Sequence, residues 1–143
     1  MNEADERKLV VQEALSWLRT PYHHMQRVKG AGVDCGQFLI AVYSATGVIR
    51  DIDTGYYAQQ WASNQREERY LKWIERYACR VDVPLPGDIV VYLFGRCMSH
   101  GGVVVEWPSI VHSYVKLGCL LDHGDKGNLE GRYHRFYSPW RKN

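Results

Sequence analysis

A cysteine at the start of an apolar segment is the first candidate for chemistry in this chain. Cys35 follows a loop that contains Gly30 and Gly32, and it precedes an apolar run that predicts a helix over 35–47. A thiol at a helix N-terminus meets N–H groups that have no partner within the helix, together with the positive end of the helix dipole. Both favour the thiolate, which is the nucleophilic form of cysteine. Cys35 is therefore a candidate nucleophile.

Two histidines further along the chain could complete a nucleophilic site. His100 is expected at the start of one strand and His112 within the next, with Pro108-Ser109 between the two strands as a tight hairpin. Opposed residues of adjacent antiparallel strands lie about 5 Å apart, so the hairpin would place both imidazoles on one face. His100 would take the proton of the thiol, and His112 would orient the ring of His100 as the third member of a triad. The chain thus contains the components of a cysteine hydrolase.

Two hydrogen-bond donors are candidates for binding an oxyanion. The backbone N–H of Cys35 lies at the expected helix start, and the hydroxyl of Tyr22 lies in the preceding loop, 21–33. Each of these residues also has an ordinary structural interpretation: a cysteine in an apolar helix is usually part of the core, and a tyrosine beside a proline usually packs. The combination favours catalysis. The remaining histidines are interpreted as ordinary polar residues, with His24 also a candidate for contacting substrate; they are His23, His24, His123 and His134.

The elements that must position these residues fall into two halves. The first half predicts helices over 3–19, 35–47, 55–63 and 66–78. The second half follows the turn Pro84–Asp88 and predicts strands over 89–94, 102–107, 110–115 and 118–121, with a short strand near 132–137. Helices followed by antiparallel strands indicate an α+β fold, with a helical half packed on a sheet. No repeat or linker interrupts the chain, so 1–143 is predicted to be a single domain.

Composition and charge narrow the range of functions. The 143 residues carry a net charge of +2 with no basic block, which does not indicate nucleic-acid binding. The segment 1–8 is charged and lacks an apolar core, so we expect neither a signal peptide nor membrane insertion, and synthesis in a cytoplasm. The four cysteines are expected to be reduced thiols rather than two disulfides; they are Cys35, Cys79, Cys97 and Cys119.

Five segments of the chain form a pattern in their order and approximate spacing: Thr20-Pro21-Tyr22, Gly32-Val33-Asp34-Cys35, Pro86-Gly87-Asp88-Ile89-Val90, Ser99-His100-Gly101-Gly102-Val103 and Val111-His112-Ser113. In this pattern the chain resembles the NlpC-type cysteine peptidases, over about residues 9–137. Members of that family are bacterial cell-wall hydrolases with a papain-like α+β core.

The resemblance implies roles for these residues and a substrate. Cys35 would be the nucleophile, His100 the base, His112 the orienting residue, and Tyr22 a tyrosine that lines the site and assists the oxyanion. Family members typically cut peptidoglycan stem peptides, often between the γ-carboxyl of D-glutamate and diaminopimelate or lysine. The chain would be the catalytic domain without a wall-binding module, and no cofactor or metal is predicted. The expected substrate-binding positions are His24, Asp34, Gly36, Gln37 and Gly101.

The chain departs from the family pattern at two places. Gly36-Gln37 stands where the family usually has Ser-Gly, which affects the expected substrate cleft. Gly101-Gly102 stands where the histidine motif more often continues Val-Gly. Neither change removes a catalytic group.

The overall pattern looks most like the bacteriophage and prophage tail-associated branch of the family. Tyr70–Ile74 ahead of Leu85–Asp88, and the turn from Trp107 to His112, carry this likeness. It implies incorporation into a phage tail, tail proteins as partners and action on the cell wall.

Three other interpretations remain open. The same core could serve an amidase toxin, a protein deamidase or an acyltransferase. A catalytically weak structural module of a tail would fit the glycine at position 36. A metal site could use Cys97 with His100 and Cys119 with His123, but these spacings are not those of a zinc ribbon or finger, and His100 is better explained as the base.

Overall fold

The computed structural model of the protein describes residues 1–55 and 69–141. Three α-helices lie within these residues: α1 (Glu3–Leu15), α2 (Cys35–Ala45) and α3 (Arg69–Tyr77). The strands are β1 (Arg27–Val28), β2 (Gly32–Val33), β3 (Cys79–Val81), β4 (Ile89–Phe94), β5 (Cys97–Glu106), β6 (Ser109–Tyr114), β7 (Gly118–His123) and β8 (His134–Ser138), with a short 3-10 helix at Gly127–Leu129.

Six of the strands form one antiparallel sheet in the order β3-β8-β4-β5-β6-β7, and β1 and β2 form a separate small hairpin. The helices cover one face, where α2 lies against β5 and β6, and α1 and α3 contact β5. The main core lies between helices and sheet, and a smaller cluster lies on the other face around Val90, Tyr92 and Val104. The predicted α+β, papain-like architecture is confirmed.

Helix α2 begins at Cys35 because Asp34 caps it. Asp34 has an extended backbone (φ −96°, ψ 178°), and its Oδ1 accepts a hydrogen bond from the Gln37 N–H at 2.8 Å. The other carboxylate oxygen accepts from the Met25 N–H at 2.7 Å. One buried carboxylate therefore joins the helix start to the preceding loop, which sets the place of Cys35.

A second buried carboxylate joins α1 to the sheet. The Arg7 guanidinium donates to Asp88 Oδ1 at 2.8 Å, to the Pro86 carbonyl at 3.0 Å and to Ser138 Oγ at 3.2 Å. Arg7 is 7% exposed and Asp88 1% exposed. The Pro-Gly-Asp turn is thus held by a hydrogen-bonded ion pair that fixes the start of β4.

Several element boundaries differ from the sequence-based expectation. The first helix was predicted over 3–19 but ends at Leu15, and Arg19 adopts a left-handed φ of 74° so that its N–H reaches the Cys119 carbonyl at 2.9 Å. Strand β5 begins at Cys97 rather than at 102, because its pairing with β4 starts directly after the turn at Gly95.

Three short strands were not predicted, namely β1, β2 and β3. At two or three residues each, they are too short to show an alternating pattern. The helix predicted over 55–63 lies almost entirely outside the described residues. Within residues 1–55 and 69–141, no helix is both long enough and apolar enough to cross a membrane.

Candidate active site

The Cys35 thiol lies at the N-terminus of α2, against the backbone of β5. Its sulfur is 3.7 Å from the Ser99 carbonyl, to which the thiol donates. Hydrogen bonding from the Gly101 and Gly36 N–H groups and from the Tyr70 hydroxyl lowers the pKa of the thiol. The helix start therefore supplies the donors that the sequence led us to expect, and the strand and α3 add two more.

These donors do not make the resting thiol acidic. Burial, followed by the negative charge of Asp34, raises the pKa of Cys35 to about 12, although the hydrogen bonds from Gly101, Gly36 and Tyr70 oppose the shift. The helix start acts in the expected direction, since the Gly36 N–H lowers the pKa of the thiol, but loss of hydration outweighs this effect in the free protein. Cys35 rests as a neutral thiol.

The two predicted histidines do meet, but not as directly opposed residues. The register pairs Gly102 with His112 and Tyr92 with His100, so His100 lies inside β5 rather than at its start, and the imidazoles are diagonal neighbours. Their rings bridge the gap, with His100 Nε2 2.7 Å from His112 Nδ1. Diagonal neighbours across a sheet remain within reach of long side chains.

A carboxylate extends this pair into a chain of three groups. His112 Nε2 lies 2.9 Å from Asp122 Oδ2 on β7. His112 is fully buried, His100 is 5% exposed, and the Asp122 side chain is 17% exposed. Asp122 is not among the site residues predicted from the sequence. The register of the β6–β7 hairpin pairs Ile110 with Asp122 and so places the carboxylate diagonally across from His112. The hairpin pattern is the feature of the sequence that could have identified Asp122.

The Asp122 carboxylate determines which ring nitrogens of His112 and His100 carry protons. An ionised carboxylate only accepts, so His112 carries its proton on Nε2 and presents the Nδ1 lone pair to His100. His100 must then donate through Nε2, which leaves its Nδ1 as the basic nitrogen. Asp122 thus selects, through His112, the tautomer of His100 that can accept a proton at Nδ1.

Both imidazoles are neutral at rest. Burial, followed by repulsion of a protonated His100 by a protonated His112 and by Arg132, holds the pKa of His100 well below its usual value. Burial also lowers the pKa of His112, against the opposing hydrogen bond and charge of Asp122. The aromatic ring of Phe94, with its centroid 4.7 Å from that of His100, forms part of the apolar surroundings.

The Cys35 thiol lies against the segment of β5 that contains His100. Cys35 contacts the backbone on both sides of His100, at Ser99 and Gly101. The hydrogen bonds of the described residues include none between the thiol and the imidazole; the bond of the His100 ring goes to His112. A productive thiol–imidazole contact therefore requires the thiol to leave the Ser99 carbonyl, and such bonds often tighten only when substrate binds.

Cys35 lines a pocket with largely apolar walls. Tyr22, His24, Asp34 and Gly36 line the same pocket, and its walls come from α2, the segment after it and α3, including Ile40, Ile49, Ile52, Tyr70, Trp73 and Ile74. The pKa of Tyr22 is raised by burial and then by the charges of a Cys35 thiolate and of Asp34, so its hydroxyl remains protonated as a donor.

The structure separates the five predicted substrate-binding positions into two groups. His24, Asp34 and Gly36 line the pocket, and the Gly101 N–H faces the sulfur. Gln37 is buried, and its side-chain oxygen accepts from Arg27 Nε at 3.0 Å, so it holds the loop to the helix. Among the residues that the structure describes, no group of three or more His, Cys, Asp or Glu converges as metal ligands, and all four cysteines are free.

Solved structures share this fold. No family model and no curated protein matches the amino-acid sequence. The NlpC/p60 domain of the peptidoglycan hydrolase SagA superposes with a TM-score of 0.60 at 18% identity, covering 90% of this chain and 96% of that one. NlpC1 from Trichomonas vaginalis superposes with a TM-score of 0.67 at 13% identity, covering 96% of this chain and 44% of that one. At these identities the likeness establishes the fold.

Proposed function

We propose that residues 1–143 act as a single-domain cysteine peptidase that hydrolyses amide bonds in peptidoglycan stem peptides, of the γ-D-glutamyl-diamino acid endopeptidase type. The observation that carries this proposal is the placement of Cys35 at a helix N-terminus against the strand of His100, which is linked to His112 and Asp122. The shared fold with the NlpC/p60 domain of a peptidoglycan hydrolase supports the choice of substrate.

The proposed reaction begins with proton transfer from the Cys35 thiol to Nδ1 of His100. The thiolate attacks the carbonyl carbon of the scissile amide, and the oxyanion that forms accepts hydrogen bonds from the Cys35 N–H and the Tyr22 hydroxyl. The His100 imidazolium then gives its proton to the leaving amine, and the C–N bond breaks to leave a thioester on Cys35. Water, deprotonated by His100, hydrolyses the thioester and restores the thiol.

Burial raises the free energy of the Cys35 thiolate and His100 imidazolium pair, and neighbouring groups of the protein stabilise it. The neutral thiol and imidazole of the free protein must become a thiolate and an imidazolium. His112, held by Asp122, accepts a hydrogen bond from the imidazolium, while backbone N–H groups and Tyr70 donate to the sulfur. Ion-pair formation is therefore expected when substrate binding brings the thiol and Nδ1 of His100 into hydrogen-bond contact.

Digestion of purified muropeptides tests the proposal. The wild-type protein, Cys35→Ala and Cys79→Ala are incubated with muropeptides, and the products are identified by mass spectrometry. We expect new stem-peptide fragments from the wild type and from Cys79→Ala, whose thiol lies on β3, and none from Cys35→Ala. Fragments from Cys35→Ala, or no fragments from the wild type, would overturn the proposal.

We also propose that the protein is made in a cytoplasm and incorporated in a phage or prophage tail, with tail proteins as partners. The support is the sequence pattern alone, above all Tyr70–Ile74 ahead of the Pro-Gly-Asp turn and the segment from Trp107 to His112. Mass spectrometry of purified tails from the source bacterium tests this. Absence of the protein from tails, together with neighbouring genes that encode no tail proteins, would contradict it.

A further inference from the structure

The glycine after His100 opens a space that a tyrosine hydroxyl occupies. A Cβ built on Gly101 would lie 2.5 Å from the Tyr70 hydroxyl oxygen, 3.1 Å from Leu39 Cδ1 and 3.2 Å from the Val90 carbonyl oxygen. Real Cβ atoms essentially never approach another heavy atom within 3.0 Å. Any side chain at position 101 would therefore compete with the Tyr70 hydroxyl for the same place.

That tyrosine and Cys35 line the same pocket. Tyr70 is 3% exposed, and its ring is held in α3 beside the buried Leu71 and Ile74. Hydrogen bonding from its hydroxyl and from the Gly101 N–H lowers the pKa of the Cys35 thiol, so both groups favour the thiolate. Because water has little access here, these bonds are stronger than they would be at the surface.

We propose that Tyr70 is a second catalytic tyrosine, whose hydroxyl donates to the Cys35 sulfur and stabilises the thiolate, and that Gly101 provides the space for it. Tyr70 keeps its own proton throughout, while the thiol proton passes to His100 Nδ1. This role rests on the proposed function only in taking Cys35 as the nucleophile. It is distinct from that of Tyr22, which comes from the loop before α2 and is assigned to the oxyanion of the substrate.

Other ionisable groups line the pocket that contains Cys35, and the Tyr70 variant does not substitute them. The loop before α2 contributes Tyr22, His24 and Asp34; α2 contributes Tyr43; the following segment contributes Arg50; α3 contributes Tyr77; and β5 contributes His100 next to the contacting backbone.

The test measures the reactivity of Cys35 without any peptidoglycan. Alkylation by iodoacetamide is followed at about pH 8, where only the minor thiolate fraction reacts, and modification of Cys35 is resolved from that of the other cysteines by peptide mass spectrometry. A hydrogen bond to an ionised group changes a pKa by about one to two units, and the higher pKa partly compensates through a more nucleophilic thiolate. Tyr70→Phe should therefore slow alkylation by roughly 4- to 15-fold.

A matched variant controls for loss of a buried hydroxyl. Tyr137 is 1% exposed, and its hydroxyl hydrogen-bonds to Glu75 on the same helix as Tyr70, at 3.1 Å. Tyr137→Phe should leave the alkylation rate of Cys35 within about twofold of the wild type. Thermal melting of each variant confirms that it is folded.

Gly101→Ala provides an independent second variant. Its Cβ must displace the Tyr70 hydroxyl, so it should slow alkylation as Tyr70→Phe does, and the double variant should be no slower than either single variant. Wild-type reactivity in either single variant, or losses that multiply in the double variant, would overturn the role of Tyr70. Because alkylation needs no substrate, a slowed Tyr70→Phe together with no muropeptide cleavage would keep this inference and reject the proposed substrate.

Discussion

Replacement of Asp122 by asparagine tests the proton chain, which is the hydrogen-bonded series Asp122, His112 and His100, with a side chain of nearly the same size and shape. Asp122 Oδ2 accepts from His112 Nε2–H at 2.9 Å, and His112 Nδ1 lies 2.7 Å from His100 Nε2. An asparagine can turn its NH₂ group toward Nε2, which moves the proton of His112 to Nδ1. His100 would then carry its own proton on Nδ1, the nitrogen that must accept the proton of Cys35.

The size of the expected decrease in kcat follows from the burial of the Asp122–His112 hydrogen bond. A hydrogen bond to a charged group contributes about 1.5–3 kcal/mol, and about 1.4 kcal/mol corresponds to a tenfold change in rate. With His112 fully buried and the Asp122 side chain 17% exposed, solvent screens this bond little. Loss of the carboxylate also removes the interaction that raises the pKa of His112 against burial. We expect kcat to fall by roughly 10- to 150-fold.

Steady-state cleavage of muropeptides checks this expectation. KM should change little, because Asp122 contacts His112 rather than the pocket that contains Cys35. Asp125→Asn is the matched control, since Asp125 is exposed in the segment that follows β7, and it should retain the wild-type kcat. A kcat for Asp122→Asn within about twofold of the wild type would refute the proposed role of the proton chain, and so would an increase in KM with kcat unchanged.

Two further predictions concern stability. The pKa values of His100 and His112 are lower in the folded protein than in the unfolded chain, so the unfolded state binds more protons in acid. The free energy of unfolding, measured in urea, should be highest above about pH 6.5 and fall below it by up to about 1.4 kcal/mol per pH unit for each histidine. A flat profile down to about pH 5 would contradict this. Arg7→Ala leaves the buried Asp88 carboxylate without its ion-pair partner, which should lower the free energy of unfolding by about 3–5 kcal/mol in the same assay. Arg27→Ala removes a more exposed ion pair and should lower it much less. Equal decreases in the two variants would argue against burial as the cause.

Local sequence signals predicted the start of the nucleophile helix and most of the sheet. The apolar run after the glycine-containing loop predicts a helix over 35–47, and the helix begins at Cys35 as expected. Strand β4 has the predicted bounds, and β5 and β6 meet at the turn before Ser109. Glycine has a low strand propensity, so Gly101-Gly102 made the start of β5 difficult to predict, and pairing with strands on both sides decided it.

The amino-acid sequence by itself determined the identity and order of the reactive groups, and the helix and hairpin that present them. Cap, turn and periodicity signals act over a few residues, so they can be recognised in the chain alone. Only the tertiary structure decided the resting charge and the further partners of those groups. The pKa of Cys35 depends on loss of water when α2 packs against β5, and Tyr70 reaches the site from α3 through contacts between distant parts of the chain. Asp122 reaches it through the register of the β6–β7 hairpin. Desolvation and long-range packing depend on the whole fold, and no local pattern in the sequence encodes them.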